Sequence, residues 1–246
     1  VGLEHFRFMF EREDSLKVIR NTFVISALKM IFGLLAAVAF ALLLNEGRST
    51  PWKRTIQTLV YMPHFLSWVI LGGALTDILS QKSLLNRLLA SMFGSPIFFL
   101  GENGWFMFTV VVSDIWKEFG FGAIVFLAAI SGIHPSLYEA AIIDGANRWK
   151  QTLHITLPSM APIIVVVGTL SLGNILNAGF DQIFNLYNPL VYERGDIIDT
   201  FVYRLAMLSG DLSFATAVGL FKSVVGFSLI VIAYRVAYKY AHYRIF

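Results

Sequence analysis

Long apolar runs alternate with shorter stretches that carry most of the charge. The runs cover residues 22–44, 56–79, 106–130, 163–184 and 214–237. Each is long enough to cross a bilayer as a helix, for which ~20 residues are needed. The pattern predicts an all-α integral membrane protein with five spans in a single domain, residues 1–246. Pro63 inside the second run predicts a kink there, because a prolyl ring removes a helix hydrogen bond and crowds the preceding turn. Residues 84–93 place apolar side chains at helical spacing and predict a short helix lying in the membrane interface. Residues 1–21 mix both charge signs and read as a soluble helix or surface segment. Residues 185–212 are polar and turn-rich, with Asn188-Pro189 and Gly195, and read as a loop.

The connection over 132–162 carries helix signals of its own. Ser136 and Glu139 stand three apart, the spacing of a capping box. Gly145 is placed to end that short helix. Ala146 to His154 predicts a second helical piece, stopped near Pro158. The small residues Ala140, Ala141, Gly145 and Ala146 would let another backbone approach closely.

Composition agrees with the membrane reading. The chain of 246 residues is 57% hydrophobic and 14% charged, whereas soluble domains are about 45–50% apolar and about 25% charged. The net charge of +3 reads as loop bias and not as a nucleic-acid footprint. With no cysteine, disulfides and thiolate metal sites are excluded. The chain begins with Val1, which reads as a fragment.

Basic residues orient the spans by the positive-inside rule. Arg48, Lys53, Arg54, Arg148, Lys150, Lys239 and Arg244 put the loops 45–55 and 132–162 and the tail from residue 238 in the cytoplasm. The acidic balance of 185–212, with Glu193, Asp196, Asp199 and Asp211, places it outside. The first residues then lie outside and the C-terminus inside. One further span before Val1 would make six.

Several polar groups fall within the predicted spans, where a charge costs about 2.5–3.5 kcal/mol on insertion scales. They are Lys29; Asp114, Lys117 and Glu118; Asn174, Asn177, Asp181 and Gln182; and Lys222. The spacing 174, 177, 181 predicts one helical stripe. Two readings stay open. The groups line a polar translocation path, or they pair with one another and hold the bundle together.

Catalytic signatures are absent. The chain has no phosphate-binding Gly-x-x-x-x-Gly-Lys-Ser/Thr, no His-Glu-x-x-His and no Gly-x-Ser-x-Gly. His5, His64, His134, His154 and His242 show no metal-ligand spacing. No enzyme and no bound cofactor is expected.

Glu139-Ala140-Ala141, three residues, Gly145, nine residues, Ile155, one residue, Leu157-Pro158 resembles the EAA loop of permease subunits of bacterial binding-protein-dependent ABC importers. Asn21-Thr22, Tyr61-Met62-Pro63 and Phe180-Asp181-Gln182-Ile183-Phe184 resemble the sugar-type members. Asp114-Ile-Trp-Lys-Glu118 and Tyr187-Asn-Pro189 through Asp196-Ile-Ile-Asp199-Thr200 resemble the complex-polysaccharide (LplB-like) branch. Tyr187-Asn188-Pro189 departs from the Gly-Gly-Pro of many sugar permeases.

That resemblance implies half of a heterodimeric pore in the bacterial cytoplasmic (inner) membrane, completed by a second homologous permease subunit. Two ATPase subunits would hold ATP and Mg, and an extracellular solute-binding protein would deliver an oligosaccharide, uronate-containing ones included, with Tyr61, Trp116 or Phe180 stacking on a sugar ring and Lys117 and Lys222 as charge partners for an anionic one. Glu139, Ala140, Ala141, Asp144 and Gly145 would form the coupling helix seated on one ATPase. The alternatives are an ABC permease for another small solute and an ion-gradient-driven secondary transporter subunit.

Overall fold

The apolar runs form helices, and the polar stretches between them fold into short helices of their own. A computed structural model describes residues 3–47 and 49–241. Arg48, His242 and Arg244 lie outside the described residues. The helices are α1 (Glu4–Glu11), α2 (Glu13–Glu46), α3 (Thr50–Tyr61), α4 (Trp68–Ile78), α5 (Leu84–Phe93), α6 (Asn103–Ser131) and α7 (Pro135–Ile143). They continue as α8 (Arg148–Gln151), α9 (Leu157–Leu172), α10 (Phe180–Leu186), α11 (Tyr192–Gly195), α12 (Ile198–Ser209) and α13 (Leu212–Ala241). Among the described residues there is no strand. Among the described residues three helical stretches are long and apolar enough to cross a membrane, and five if the bent pairs α3 with α4 and α6 with α7 each count as one span. The first stretch is longer than its apolar run. Arg12 is extended, and α2 then starts at Glu13, with Glu13 and Asp14 at its positive N-terminal end.

Two of the expected spans are broken. The second is not kinked at Pro63 but interrupted. α3 starts at Thr50, inside the stretch read as a loop, and ends at Tyr61 before a 3₁₀ turn, Met62–Phe65. Extended Ser67 then caps α4, its hydroxyl accepting from the Ile70 amide at 3.4 Å. The fourth, read as continuous over 163–184, stops at Leu172 and resumes only at Phe180. Gly179 stands at φ +92°, in the left-handed region that a helix cannot use. The loop read over 185–212 contains the 12-residue helix α12.

Pro158 does not stop the helix that enters it. A π turn over Thr152–Thr156 widens the backbone just upstream, and the Leu157 amide reaches back to the Thr152 carbonyl. A proline ring clashes with the carbonyl four residues earlier, here His154, and the wider turn accommodates it. The helix then continues through Pro162.

The described chain gathers into two units. One contains the residues up to Lys29, Leu66–Asp114 and Gly173–Ser228. Its core packs Ile25, Phe106, Val110, Ala178, Ile183, Leu186, Val191 and Ile197. The other contains Met30–Phe65, Ile115–Leu172 and the residues from Leu229. Its core packs Ala37, Ala41, Ala123, Phe126, Ile130 and Met160. The alanines let α2 and α6 approach closely around one large ring. Outside these cores the long helices turn large apolar side chains outward, Leu35 and Phe227 among them, as helices in contact with lipid or another apolar partner do.

Candidate functional site

The second unit holds the loop that the sequence singled out. α7 does not begin with the Ser136–Glu139 box. His134 is the cap, its imidazole accepting from the Ser136 amide at 3.3 Å, with Pro135 in the first turn, where no intrahelical donor is required. The far end is as expected. Gly145 at φ +73° donates to the Ile142 carbonyl at 3.0 Å, and Ala146 donates to that of Ala141 at 2.8 Å. This pair of bonds is the Schellman closure. Asn147 then caps α8, accepting from the Lys150 amide at 2.9 Å. The Tyr138 and Thr156 hydroxyls, 2.9 Å apart, tie the two halves of the loop. Arg148 reaches Glu46 at 3.1 Å.

This loop buries almost nothing. α7 has no buried side chain. Glu139, Ala140, Asp144 and Gly145 are exposed, and Ala141 is half-buried. Beside them Ile143 is 85% exposed, Trp149 74% and Ile142 63%. A rigid two-helix turn that displays apolar side chains between carboxylates has the character of a protein-docking surface.

The first unit holds a polar node at the break in the fourth span. The Lys29 ammonium, nearly buried, donates to the Ala178 carbonyl at 2.7 Å and to Gln182 Oε1, and pairs with Asp114 at 3.1 Å. Fully buried Gln182 donates in turn to the Val110 carbonyl and to Ser113 Oγ, at 2.8 and 2.9 Å. Asn174 and Asn177 are not on a helix. The Asn177 amide donates to the Asn174 carbonyl in a turn, and both residues are exposed. The helical stripe 174-177-181 therefore does not exist. Asp181 is exposed on α10, and its neighbour Phe180 stacks on Phe184.

The remaining candidates separate by what they touch. Lys222 pairs with Asp199 at 2.6 Å. Buried Lys117 donates to the His64 carbonyl and to Glu118, and His64 contacts Glu118 at 2.7 Å while lying flat on Phe121. These lysines have internal carboxylate partners, contrary to the expectation that they meet an anionic sugar. Asp114 and Gln182 likewise serve the fold. Trp116 is exposed and Tyr61 half-buried. Lys29, from the sequence only one of several polar groups within the spans, is the centre of the polar node. A lone charge in a long apolar run must find partners elsewhere in the chain.

A family model described as binding-protein-dependent transport system inner membrane component matches residues 29–242. Protein LplB of Bacillus subtilis (strain 168) is 41% identical over 98% of this chain and 76% of its own length. The polygalacturonan/rhamnogalacturonan transport system permease protein YteP of the same organism is 39% identical over 100% of this chain and 77% of its own. The crystal structure of a bacterial ABC transporter involved in the import of the acidic polysaccharide alginate contains a similar chain. Its TM-score is 0.93 at 38% identity, covering 98% of this chain and 84% of that one.

Proposed function

The chain belongs to the binding-protein-dependent transport system inner membrane components, as an ABC permease subunit, and from that premise we propose that it carries an oligosaccharide inward by alternating access. The observation that carries the cargo is similarity along nearly the whole chain to a permease named for polygalacturonan and to a transporter of alginate. Exposed Asn174 and Asn177, in the break between α9 and α10, supply amides that hydrogen-bond sugar hydroxyls. Asp181 and Trp116 are the further exposed candidates.

The loop around α7 is the ATPase-coupling element of this reading. Ile142, Ile143 and the Glu139–Gly145 turn enter a groove on one of two ATPase subunits, which hold ATP and Mg. A second homologous permease completes the pore, and an extracellular binding protein loads it. Closure of the ATPase pair moves the loop, the cavity turns outward, and hydrolysis resets it. The first residues of this chain lie outside and its C-terminus in the cytoplasm.

The test is ATP hydrolysis in proteoliposomes by the assembled complex, with binding protein loaded with oligogalacturonate. Stimulation by loaded binding protein is expected in the wild type and is lost in Gly145→Trp, although the complex still assembles. Full stimulation in Gly145→Trp would remove the loop from the mechanism.

A further inference from the structure

Beside α10, the first unit holds an open cavity of about 570 Å³ that no residue discussed so far as a sugar contact lines. Its walls include Thr76, Gln81, Lys82, Asn185, Tyr187 and Asn188. The size is that of a small-molecule site, about 300–1,000 Å³. Three chain segments form it, and side-chain amides fasten them together. Asn86, fully buried, donates to the Ser80 and Ile97 carbonyls at 3.2 and 2.6 Å and accepts from the Ile97 amide at 2.8 Å. That fixes the turn carrying Gln81 and Lys82 against the strand-like segment before Leu100. Asn188 donates to the Leu100 carbonyl at 2.6 Å. On the opposite wall α4 and α10 touch at Gly72, where an added Cβ would stand 2.8 Å from that of Asn185. The site is pre-organised, so little ordering entropy is lost on binding.

Its charge distinguishes it from the other polar clusters. Lys29, Lys117, Lys222 and Arg204 each sit against a carboxylate. A second cavity, of about 310 Å³, holds Asp14, Glu193 and Asp196 against Lys17 and Arg204 and is acidic on balance. The larger cavity has no acidic residue in its lining, and among the described residues Lys82 makes no ion pair. Tyr187 adds a ring face, between Phe184 and Tyr192 at 6.0 and 5.2 Å. Burial raises the Tyr187 phenol above its usual range, with Arg204 pulling the other way, so the hydroxyl stays a neutral donor.

We propose that this cavity is a subsite for a carboxylate-bearing sugar residue of the transported oligosaccharide, with Lys82 pairing its carboxylate and Tyr187 facing its ring. The inference rests on the oligosaccharide reading above. A charge-assisted bond of this kind is stronger than a neutral one, and the expected preference is about tenfold.

The complete complex in proteoliposomes tests it, with binding protein saturated by a galacturonate oligosaccharide or by its fully methyl-esterified, neutral counterpart. Lys82→Gln is expected to raise the apparent KM for the acid about tenfold and leave that for the ester unchanged. Lys82→Arg should stay within about twofold of wild type for both. Equal loss for the two cargoes would make Lys82 a docking contact for the binding protein and overturn the subsite. No loss for either would overturn it as well. Wild-type import of the ester but not the acid would defeat the subsite alone, whereas import of neither sugar would defeat the oligosaccharide reading and the subsite with it.

Discussion

The first unit buries a polar network, and the loop of the second displays apolar side chains. In the first, Lys29, Gln182, Asn86, Asn21 and Asp196 are buried or nearly so, and each bonds to an element distant in sequence or to a charged partner. Arg204 also lies over the Tyr192 ring. In the second, residues 134–151 are held by local caps and one exposed ion pair, with Ile143 and Trp149 in the open. The contrast separates two ways of being rigid. A buried network fixes a backbone that has left the helix and needs new partners for its carbonyls. Tight local caps fix a surface that stays exposed.

Breaking the buried side should cost most. Arg204→Met strands the Asp196 carboxylate, which is 5% exposed, and is expected to destabilise by ~3–5 kcal/mol. Thermal unfolding of the purified complex reads this as a lower midpoint, and an unchanged midpoint would deny the network its role. Lys29→Met should cost less, about 1–3 kcal/mol, because Asp114 keeps some access to solvent at 23%. Adding Asp114→Asn should recover most of that loss, since the unpaired charge goes with it. Ile143→Asp on the loop sharpens the comparison from the other side. Stability should stay within about 0.5 kcal/mol, while binding-protein-stimulated ATP hydrolysis falls to the basal level. A drop in stability with stimulation intact would reverse the assignment.

The apolar runs revealed most of the long helices, and the motif spacing revealed the loop, including Gly145 as the end of its first helix. Both signals are local and periodic. The break at 173–179 was hidden because Asn174, Asn177 and Asp181 happen to repeat at a helical spacing within an apolar run. What undoes that helix is Gly179 together with Lys29, 149 positions from the Ala178 carbonyl it holds. His134 was overlooked as a cap because serine is the better cap by propensity, although proline follows His134 directly. The interruption after Tyr61 was read as a kink, since Pro63 by itself predicts only that. The second helix start at Ser67 turns it into a break. The cavity beside Lys82 depends on three segments meeting and has no one-dimensional signature.

The π turn over Thr152–Thr156 also has a mechanical meaning. By absorbing Pro158 without a stop, it leaves Arg148–Leu172 as one helical stretch of 25 residues. At 1.5 Å per residue that is a lever of roughly 37 Å. Tilted by about 10° at Arg148, it sweeps Leu172 through roughly 6 Å, and two residues further along the chain stands Asn174.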